Sequence, residues 1–376
     1  MSEVDYKQCS YCVMDTSDPA IVFDSDGVCN HCKSHKLVLD TLPAGKEKQN
    51  KLMALVDKIK TDGKGYDYDC IIGVSGGVDS TYLAYKIKEL GLNPLAVHFD
   101  NGWNSELAVS NIEKTLKKLD IDLFTYVVDW DEFKDIQLSF LKASVSDAEV
   151  PTDHAISSVL YQLAAKYNIK YILNGSNFTT EGILPKGWTY GVKDYKYIKS
   201  IQDTFGSKKI KSFPHYGLIK LAYYVLVKKV RLVRILDLID YDRDEAMDVL
   251  QNKLDWVYYG GKHYESVYTR FFQSYILPTK FGIDKRKAHY STLINTGNMT
   301  RNEAVDKLSK PLFDETITED IEFVSKKFDI PVLELDRILS LPIKNYSDYK
   351  NSESLHSKLL DASRTNSFLK FLKPHS

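Results

Sequence analysis

Short, almost unbroken apolar runs alternate with amphipathic stretches through the first half of this chain. The runs "CIIGV" at 70–74, "NPLAVHF" at 93–99, "DLFTYVV" at 122–128 and "IKYILNG" at 169–175 each predict a strand. Helical spacing fills the gaps between them, at about 79–90, 105–119 and 153–168. Strands that are apolar on both faces and alternate with helices predict a parallel sheet covered on both sides. An earlier helix carries Leu52, Leu55, Val56 and Ile59 on one face, and "DGKGYDYD" at 62–69 breaks it before the first strand.

Beyond residue 180 the rhythm changes. Residues 182–216 are rich in Gly, Lys and Tyr with little periodicity, which predicts a long loop or lid. The segment 217–239 is the most apolar long stretch, but Lys228, Lys229, Arg231 and Arg234 interrupt it. A spanning helix needs ~20 mostly apolar residues without such charges near its middle, so a buried or interface helix is predicted instead. A capping box, Thr300 with Glu303, opens a helix in "TRNEAVDKL". Another helix starts at Thr318 and is stopped by Pro331. No internal repeat interrupts this order. The organisation expected is a metal module at 1–45, an α/β domain at 46–200 and a mostly helical region at 201–376.

Composition narrows the picture. The 376 residues carry 50 basic and 51 acidic side chains, a net charge of −1, so no global field recruits nucleic acid or an anionic membrane. The opening "MSEVDYKQCS" is polar and lacks an apolar signal core, which makes the cytoplasm the expected address.

Four of the five cysteines lie in the first 32 residues, as Cys9-x2-Cys12 and Cys29-x2-Cys32. Two such pairs match a zinc ribbon or knuckle, each turn aiming two thiolates at one point. "DSDGVC" supplies a turn before the second pair. A full set of four sulfurs makes the metal structural rather than catalytic. An iron–sulfur cluster, two disulfides or unrelated thiols are the alternatives; His31 and His35 lie close by, and either could replace a sulfur, but they are read as solvent-facing.

In "VSGGVDS" the glycines allow a tight turn and close approach to a ligand, and the helix that follows points its free amides at the loop. Ser75 and Ser80 add hydroxyl donors, making an anion cradle. Neither G-x-x-x-x-G-K-[ST] nor G-x-G-x-x-G is present. No lysine reaches for a phosphoryl group in flight. Instead Asp79 sits inside the loop, which suits phosphate only if the carboxylate holds Mg2+ on it.

Ser75-Gly76-Gly77-Val78-Asp79-Ser80 resembles the SGGxDS signature of the PP-loop ATP pyrophosphatases. The resemblance implies a twisted parallel sheet of the HUP, Rossmann-like type, and cleavage of ATP between its α- and β-phosphates. "CSYCVMDTSDPAIVFDSDGVCNHC", "VHFDNGWNSE", "LNGSNFTTEGILP" and "LPTKFGIDKRKAHYS", closed by "MTRNEAVDKLSKPLF", together resemble the N-acetyl sugar amidotransferases of WbpG/PseA type from bacterial surface-polysaccharide (LPS O-antigen) synthesis. That resemblance implies an adenylated N-acetyl group on a nucleotide-linked, probably UDP-linked, sugar. Ammonia then displaces AMP and leaves an acetamidino group. It also implies a separate glutaminase with a cyclase-like barrel, similar to imidazole glycerol phosphate synthase, as the ammonia source. The basic and apolar segment 217–239 is the candidate docking surface for that pair. No glutaminase nucleophile is evident, and Cys70 reads as core.

On this reading ATP, Mg2+ and Zn2+ are the cofactors. Gly73, Val74, Ser75, Gly76, Gly77, Val78, Asp79 and Ser80 bind the nucleotide and its metal, with His98, Phe99, Asp100 and Gly175 at neighbouring strand ends. Asp79, Asn174 and Lys285 are the expected catalytic residues. Asn177, Glu181, Lys280 and Arg286 are expected at the substrate, near Ser176 and His289. Asp100 and the asparagines also suit plain turns. Two other readings fit the loop: a PP-loop enzyme that thiolates or amidates a tRNA base, kept open by the Lys/Arg run at 208–234, and a nucleotide-holding subunit without turnover.

Overall fold

The structure is a computed structural model and describes residues 6–261, 264–313 and 316–354. Five strands form one all-parallel sheet: β1 (Cys70–Gly73), β2 (Pro94–Asp100), β3 (Leu123–Val127), β4 (Tyr171–Leu173) and β5 (Arg231–Val233), in the order β3-β2-β1-β4-β5. Two helices, α1 (Asn30–Leu39) and α2 (Gly45–Gly63), precede it. The crossovers are α3 (Val78–Glu89), α4 (Glu106–Leu119), and then α5 (Trp130–Ala143) with α6 (Val150–Lys166).

Alternation along the strands builds a core on each face. Ile71, Leu95, Val97 and Ile172 point to one side, where α5 and α6 bury Phe133, Ile136, Ala155 and Val159. Cys70, Ile72, Ala96 and Leu173 point to the other, against Leu83 and Ile87 of α3 and Ile112 of α4. The α/β fold expected from the apolar runs is the fold observed. Sequence periodicity placed no element over α5, whose Asp129 N-cap accepts from Glu132 N.

The chain runs outward from β1 through β2 to β3, then returns to place β4 on the other side of β1. The strand order therefore reverses between β1 and β4, and the crevice beyond their carboxyl ends is where such sheets hold ligands. Gly175, after β4, lets the two ends approach: an added Cβ would stand 3.2 Å from Asp79 O.

Two expectations are corrected after β4. Helix α7 (Phe178–Glu181) is followed within 182–216 by a 3-10 turn and by α8 (Tyr195–Phe205), which packs on α5. Carboxylates of α5 then staple the rest of that segment: Asp135 accepts from Ser207 N and Lys208 N, and Glu132 from the amides of Lys211, Ser212 and Phe213. The segment is ordered by the side-chain acceptors of α5, which periodicity does not report. Residues 217–239 are not one helix. They form α9 (Leu218–Ala222), a π turn at Tyr223–Val227, strand β5 and a 3-10 turn. Lys229 adopts φ +59°, ending the helical path, and the chain then pairs with β4. The fifth strand thus lies beyond the boundary expected at 200.

The remaining helices are α10 (Arg243–Leu254), α11 (Val267–Phe271), α12 (Leu277–Phe281), α13 (Lys285–Asn295), α14 (Arg301–Ser309), α15 (Ile317–Phe328) and α16 (Val332–Leu339). A π turn, Phe272–Ile276, joins α11 to α12. The Thr300–Glu303 capping box forms as expected, whereas α15 begins at Ile317, one residue before the expected Thr318. No helix among the described residues is long and apolar enough to cross a membrane.

Candidate active site

A cavity of about 1150 Å³ opens at the reversal point between β1 and β4. Gly73, Val74, Ser75 and Ser80 of the loop line one wall, with His98 and Phe99 from the end of β2. Asn174, Gly175 and Glu181 line the next, and Lys285, Arg286 and His289 of α13 close it opposite.

The loop is built to sit close to a ligand. Gly76 has φ +80°, and a Cβ there would stand 2.5 Å from Ala108 O of α4. Trp256 Nε1 donates to Gly76 O at 2.9 Å, fixing the turn from behind. A Cβ on Gly77 would meet Glu265 Oε1, Ser75 Oγ and Tyr259 OH, each at 3.2 Å. The Glu265 carboxylate thus stands close beside this turn at the head of α3. Ser80 Oγ accepts from Ser75 N at 3.2 Å and donates to Gly77 O at 3.2 Å.

Asp79 lies in the first turn of α3, where its carboxylate accepts a hydrogen bond from Tyr241 OH. Burial, reinforced by the charge of Asp79, pushes the Tyr241 hydroxyl far above its usual range; Tyr259 is raised likewise by burial and by Glu265. Asp79 and Glu265 are therefore hard oxygen donors beside a phosphate-shaped turn, the donor set that suits Mg2+.

Helix α13 is locked at its N-terminus and at its middle. Asp284 caps it by accepting from Arg286 N at 2.9 Å and also holds the Arg286 guanidinium, Nη2 to Oδ2 at 2.9 Å. His289 Nδ1 lies 2.9 Å from Thr180 O. Lys285 Nζ stands 3.6 Å from Glu149 Oε2. Burial works against its charge, but Glu149, Asp147 and Asp153 outweigh that and raise its pKa.

Three residues expected at the site stand elsewhere. Asp100 accepts from Gly102 N at 2.9 Å and closes a turn. Asn177 is a buried cap whose Oδ1 accepts from Thr180 N and from the Thr179 and Thr180 hydroxyls, each at 2.9 Å. Lys280 points away from the cavity and donates to Leu339 O at 2.8 Å, capping α16; burial lowers its pKa to about 8. These polar residues satisfy backbone ends, a role that motif context cannot separate from ligand contact. Conversely, the sequence reading missed Glu149, Asp153, Tyr241, Arg243, Glu265 and Arg270, all of which line the cavity. They come from segments with no motif, and only the fold gathers them.

Cys9, Cys12, Cys29 and Cys32 converge and are buried. The Sγ–Sγ separations are 3.7 Å for Cys12–Cys29, 3.7 Å for Cys29–Cys32 and 4.0 Å for Cys9–Cys32. A Zn–S bond of about 2.3 Å gives a tetrahedron edge of about 3.8 Å, so the set fits zinc and leaves no disulfide. Amides point at the sulfurs: Cys29 N and Cys12 N at Cys9, 3.2 and 3.4 Å, and Met14 N at Cys12, 3.4 Å. Such donors stabilise thiolates around a cation. Neither histidine faces solvent. His31 Nε2 pairs with Asp18 at 2.6 Å, and His35 stacks on Phe178 with centroids 4.4 Å apart.

This module braces α13. Asn295 Nδ2 donates to Cys32 Sγ at 3.4 Å, Val13 N to Ser291 Oγ at 3.2 Å, and Lys287 pairs with the buried Asp15. Arg301 of α14 donates to Cys12 O at 3.2 Å.

No curated protein matches the chain. Among solved structures, NMN synthetase from Francisella tularensis is similar at 16% identity over 80% of this chain and 98% of its own, with a TM-score of 0.31. The NH3-dependent NAD synthetase from Campylobacter jejuni, in complex with nitrate ion, shares 18% identity over 55% of this chain and 93% of its own, TM-score 0.29. A predicted subunit of tRNA methyltransferase from Methanocaldococcus jannaschii shares 16% over 47% of this chain and 75% of its own, TM-score 0.29. Residues 265–362, the stretch that carries Lys285, Arg286 and His289, match the family described as LPS biosynthesis protein WbpG-like, C-terminal domain. That match spans about a quarter of the chain, and over it the segment is similar to the C-terminal domain of WbpG-like proteins.

Proposed function

We propose that the protein is an ATP-dependent amidotransferase that converts the N-acetyl group of a nucleotide-activated sugar into an acetamidino group, with release of AMP and pyrophosphate. One observation carries the reading: a single cavity joins the SGGVDS turn to the basic face of α13, within the WbpG-like segment. Its volume, about 1150 Å³, exceeds the ~300–1,000 Å³ of a site for one small molecule and suits two large substrates.

On this reading the amides and hydroxyls of Ser75–Ser80 grip the departing pyrophosphate. Asp79, with Glu265 near it, would hold Mg2+, which supplies charge neutralisation on the phosphates. An amide oxygen is a poor leaving group until it is adenylated. The acetamide oxygen attacks the α-phosphate, pyrophosphate departs, and an adenylated imidate remains. Arg286, fixed by Asp284, faces the cavity as a cation for the nucleotide-sugar phosphates, and Asn174 at the end of β4 is placed to hydrogen-bond the acetamido group. No side chain need form a covalent bond, so catalysis is positioning and electrostatics.

Ammonia would come from a separate glutaminase with its cyclase-like barrel. Ile219, 89% exposed, and Tyr223 and Val227 at helical spacing beside Lys220 offer an outward apolar face for that partner in the cytoplasm. The test is nucleotide product analysis with UDP-N-acetyl sugars and ammonium. AMP and pyrophosphate should form only with both present, and Asp79→Ala should abolish them while keeping the fold. ADP and phosphate as products would refute the reading, and so would an Asp79→Ala protein that still turns over.

A further inference from the structure

The phosphates of ATP carry more negative charge than one Mg2+ neutralises, and the loop at the head of α3 has no lysine to supply the rest. Among the described residues, Arg243, Arg270 and Arg286 are the arginines that line the cavity. Two of them are committed. Asp320 holds Arg270 in a two-pronged pair, Nε to Oδ2 at 3.0 Å, and Asp284 holds Arg286, Nη2 to Oδ2 at 2.9 Å. Lys285 faces Glu149 in the same way. Arg243 is half-buried and makes no hydrogen bond or ion pair among the described residues. Its neighbour Asp242 is occupied as the cap of α10, accepting from Asp244 N and Glu245 N, each at 2.9 Å.

The segment that carries Arg243 is clamped against the loop. Tyr241 OH donates to Asp79 Oδ1, and its ring meets that of Tyr82 in α3 edge-on, with centroids 5.5 Å apart. Helix α10 then starts at Arg243 and packs along α3, its Ala246 and Leu250 sharing a core with Leu83 and Ile87. Burial raises the hydroxyls of Tyr241, Tyr259 and Tyr290, and the positive charge of Arg243 opposes that rise in all three. Tyr241 and Tyr259 flank Asp79 and Gly77, whereas Tyr290 lies on α13. The guanidinium thus borders the space between the loop and α13. With pyrophosphate in the loop and the sugar on α13, the bond to be broken lies in that space.

We propose that the turn into α10 is the second jaw of the phosphate site: Arg243 binds the β-phosphate of ATP, and Tyr241 positions Asp79 for the metal. The inference rests on the amidotransferase reading above and gives that site its residue for the leaving group. As the acetamide oxygen bonds to the α-phosphorus, the bond from that phosphorus to the bridging oxygen breaks, and its electron pair stays on pyrophosphate. No proton moves in this step. Arg243 meets the growing charge with a planar fork of donors, a stabilisation greatest in the transition state. Tyr241 acts through Asp79: the phenol on Oδ1 fixes the plane of the carboxylate that the metal meets.

Calorimetric titration of the full chain with pyrophosphate in excess Mg2+ tests the jaw without any sugar. Wild type should bind, Arg243→Met should bind about tenfold or more weakly, and Arg243→Lys should fall between them. Arg243 has no partner to strand, so the urea midpoint of Arg243→Met should match that of wild type. In turnover, Arg243→Met should lower kcat for AMP release about tenfold or more while the KM for the sugar stays within about twofold. For Tyr241→Phe, spin resonance of free Mn2+ with pyrophosphate present should show metal binding weakened about 10–100-fold. If wild type binds pyrophosphate and Arg243→Met binds it as tightly, this inference falls alone. Unaltered Mn2+ binding in Tyr241→Phe overturns it too. A wild type that binds no pyrophosphate removes the amidotransferase reading together with it.

Discussion

Lys287→Met should cost far more than a surface ion pair would suggest. Asp15 is 0% exposed and Lys287 is its only cationic partner among the described residues. Removing the ammonium strands a buried carboxylate, and breaking such a pair costs about 3–5 kcal/mol. Asp15 keeps Ser17 Oγ at 2.6 Å, Ser17 N at 3.1 Å and Tyr6 OH at 3.0 Å, so a loss of about 2–3 kcal/mol at pH 7 is expected. Burial pushes the Asp15 carboxyl up, but Lys287 and Ser17 outweigh it and hold it below its usual value. A depressed carboxyl stabilises the fold above its unfolded pKa, and that stability is lost as pH falls through the folded value. The gap between wild type and variant should therefore be full at pH 7 and close below about pH 4. Urea denaturation of the zinc-loaded protein at both pH values measures it. Lys287→Met with Asp15→Asn should recover part of the loss, since no charge is then stranded. A loss below about 0.5 kcal/mol at pH 7, or one independent of pH, would refute the argument by showing that the pair behaves as a surface bridge.

Gly76→Ala should lose about 2–5 kcal/mol in denaturant melts, because a left-handed backbone costs ~1–2 kcal/mol and the new Cβ overlaps Ala108 O. Cys29→Ser should remove zinc by elemental analysis and lower the melting temperature. Because Asn295, Ser291 and Lys287 tie the module to α13, it should also raise the KM for the sugar, more than a remote structural site would.

Much of the core was legible from local pattern. Runs such as "CIIGV" must be buried on both faces, and only a covered parallel sheet does that. The loop was legible because a tight glycine turn, hydroxyls and a helix start lie within six residues. The cysteine set was legible for the same reason. What stayed hidden depends on distant partners. Residues 217–239 look helical until the edge of β4 offers hydrogen bonds to Arg231–Val233. Residues 182–216 look like coil until Glu132 and Asp135 collect their amides. Lys280 and Asn177 have the chemistry of ligand contacts and are used as caps instead.

The sequence by itself determined four strands of the sheet, the anion turn and the four sulfurs, because each is set by residues near one another along the chain. Only the tertiary structure decided that Glu149, Glu265 and Arg270 share a cavity with Lys285, and that the cysteine module holds the helix bearing it. Side chains more than a hundred positions apart carry no mark of their meeting. Their affinities for protons and cations are set by neighbours that folding alone assembles.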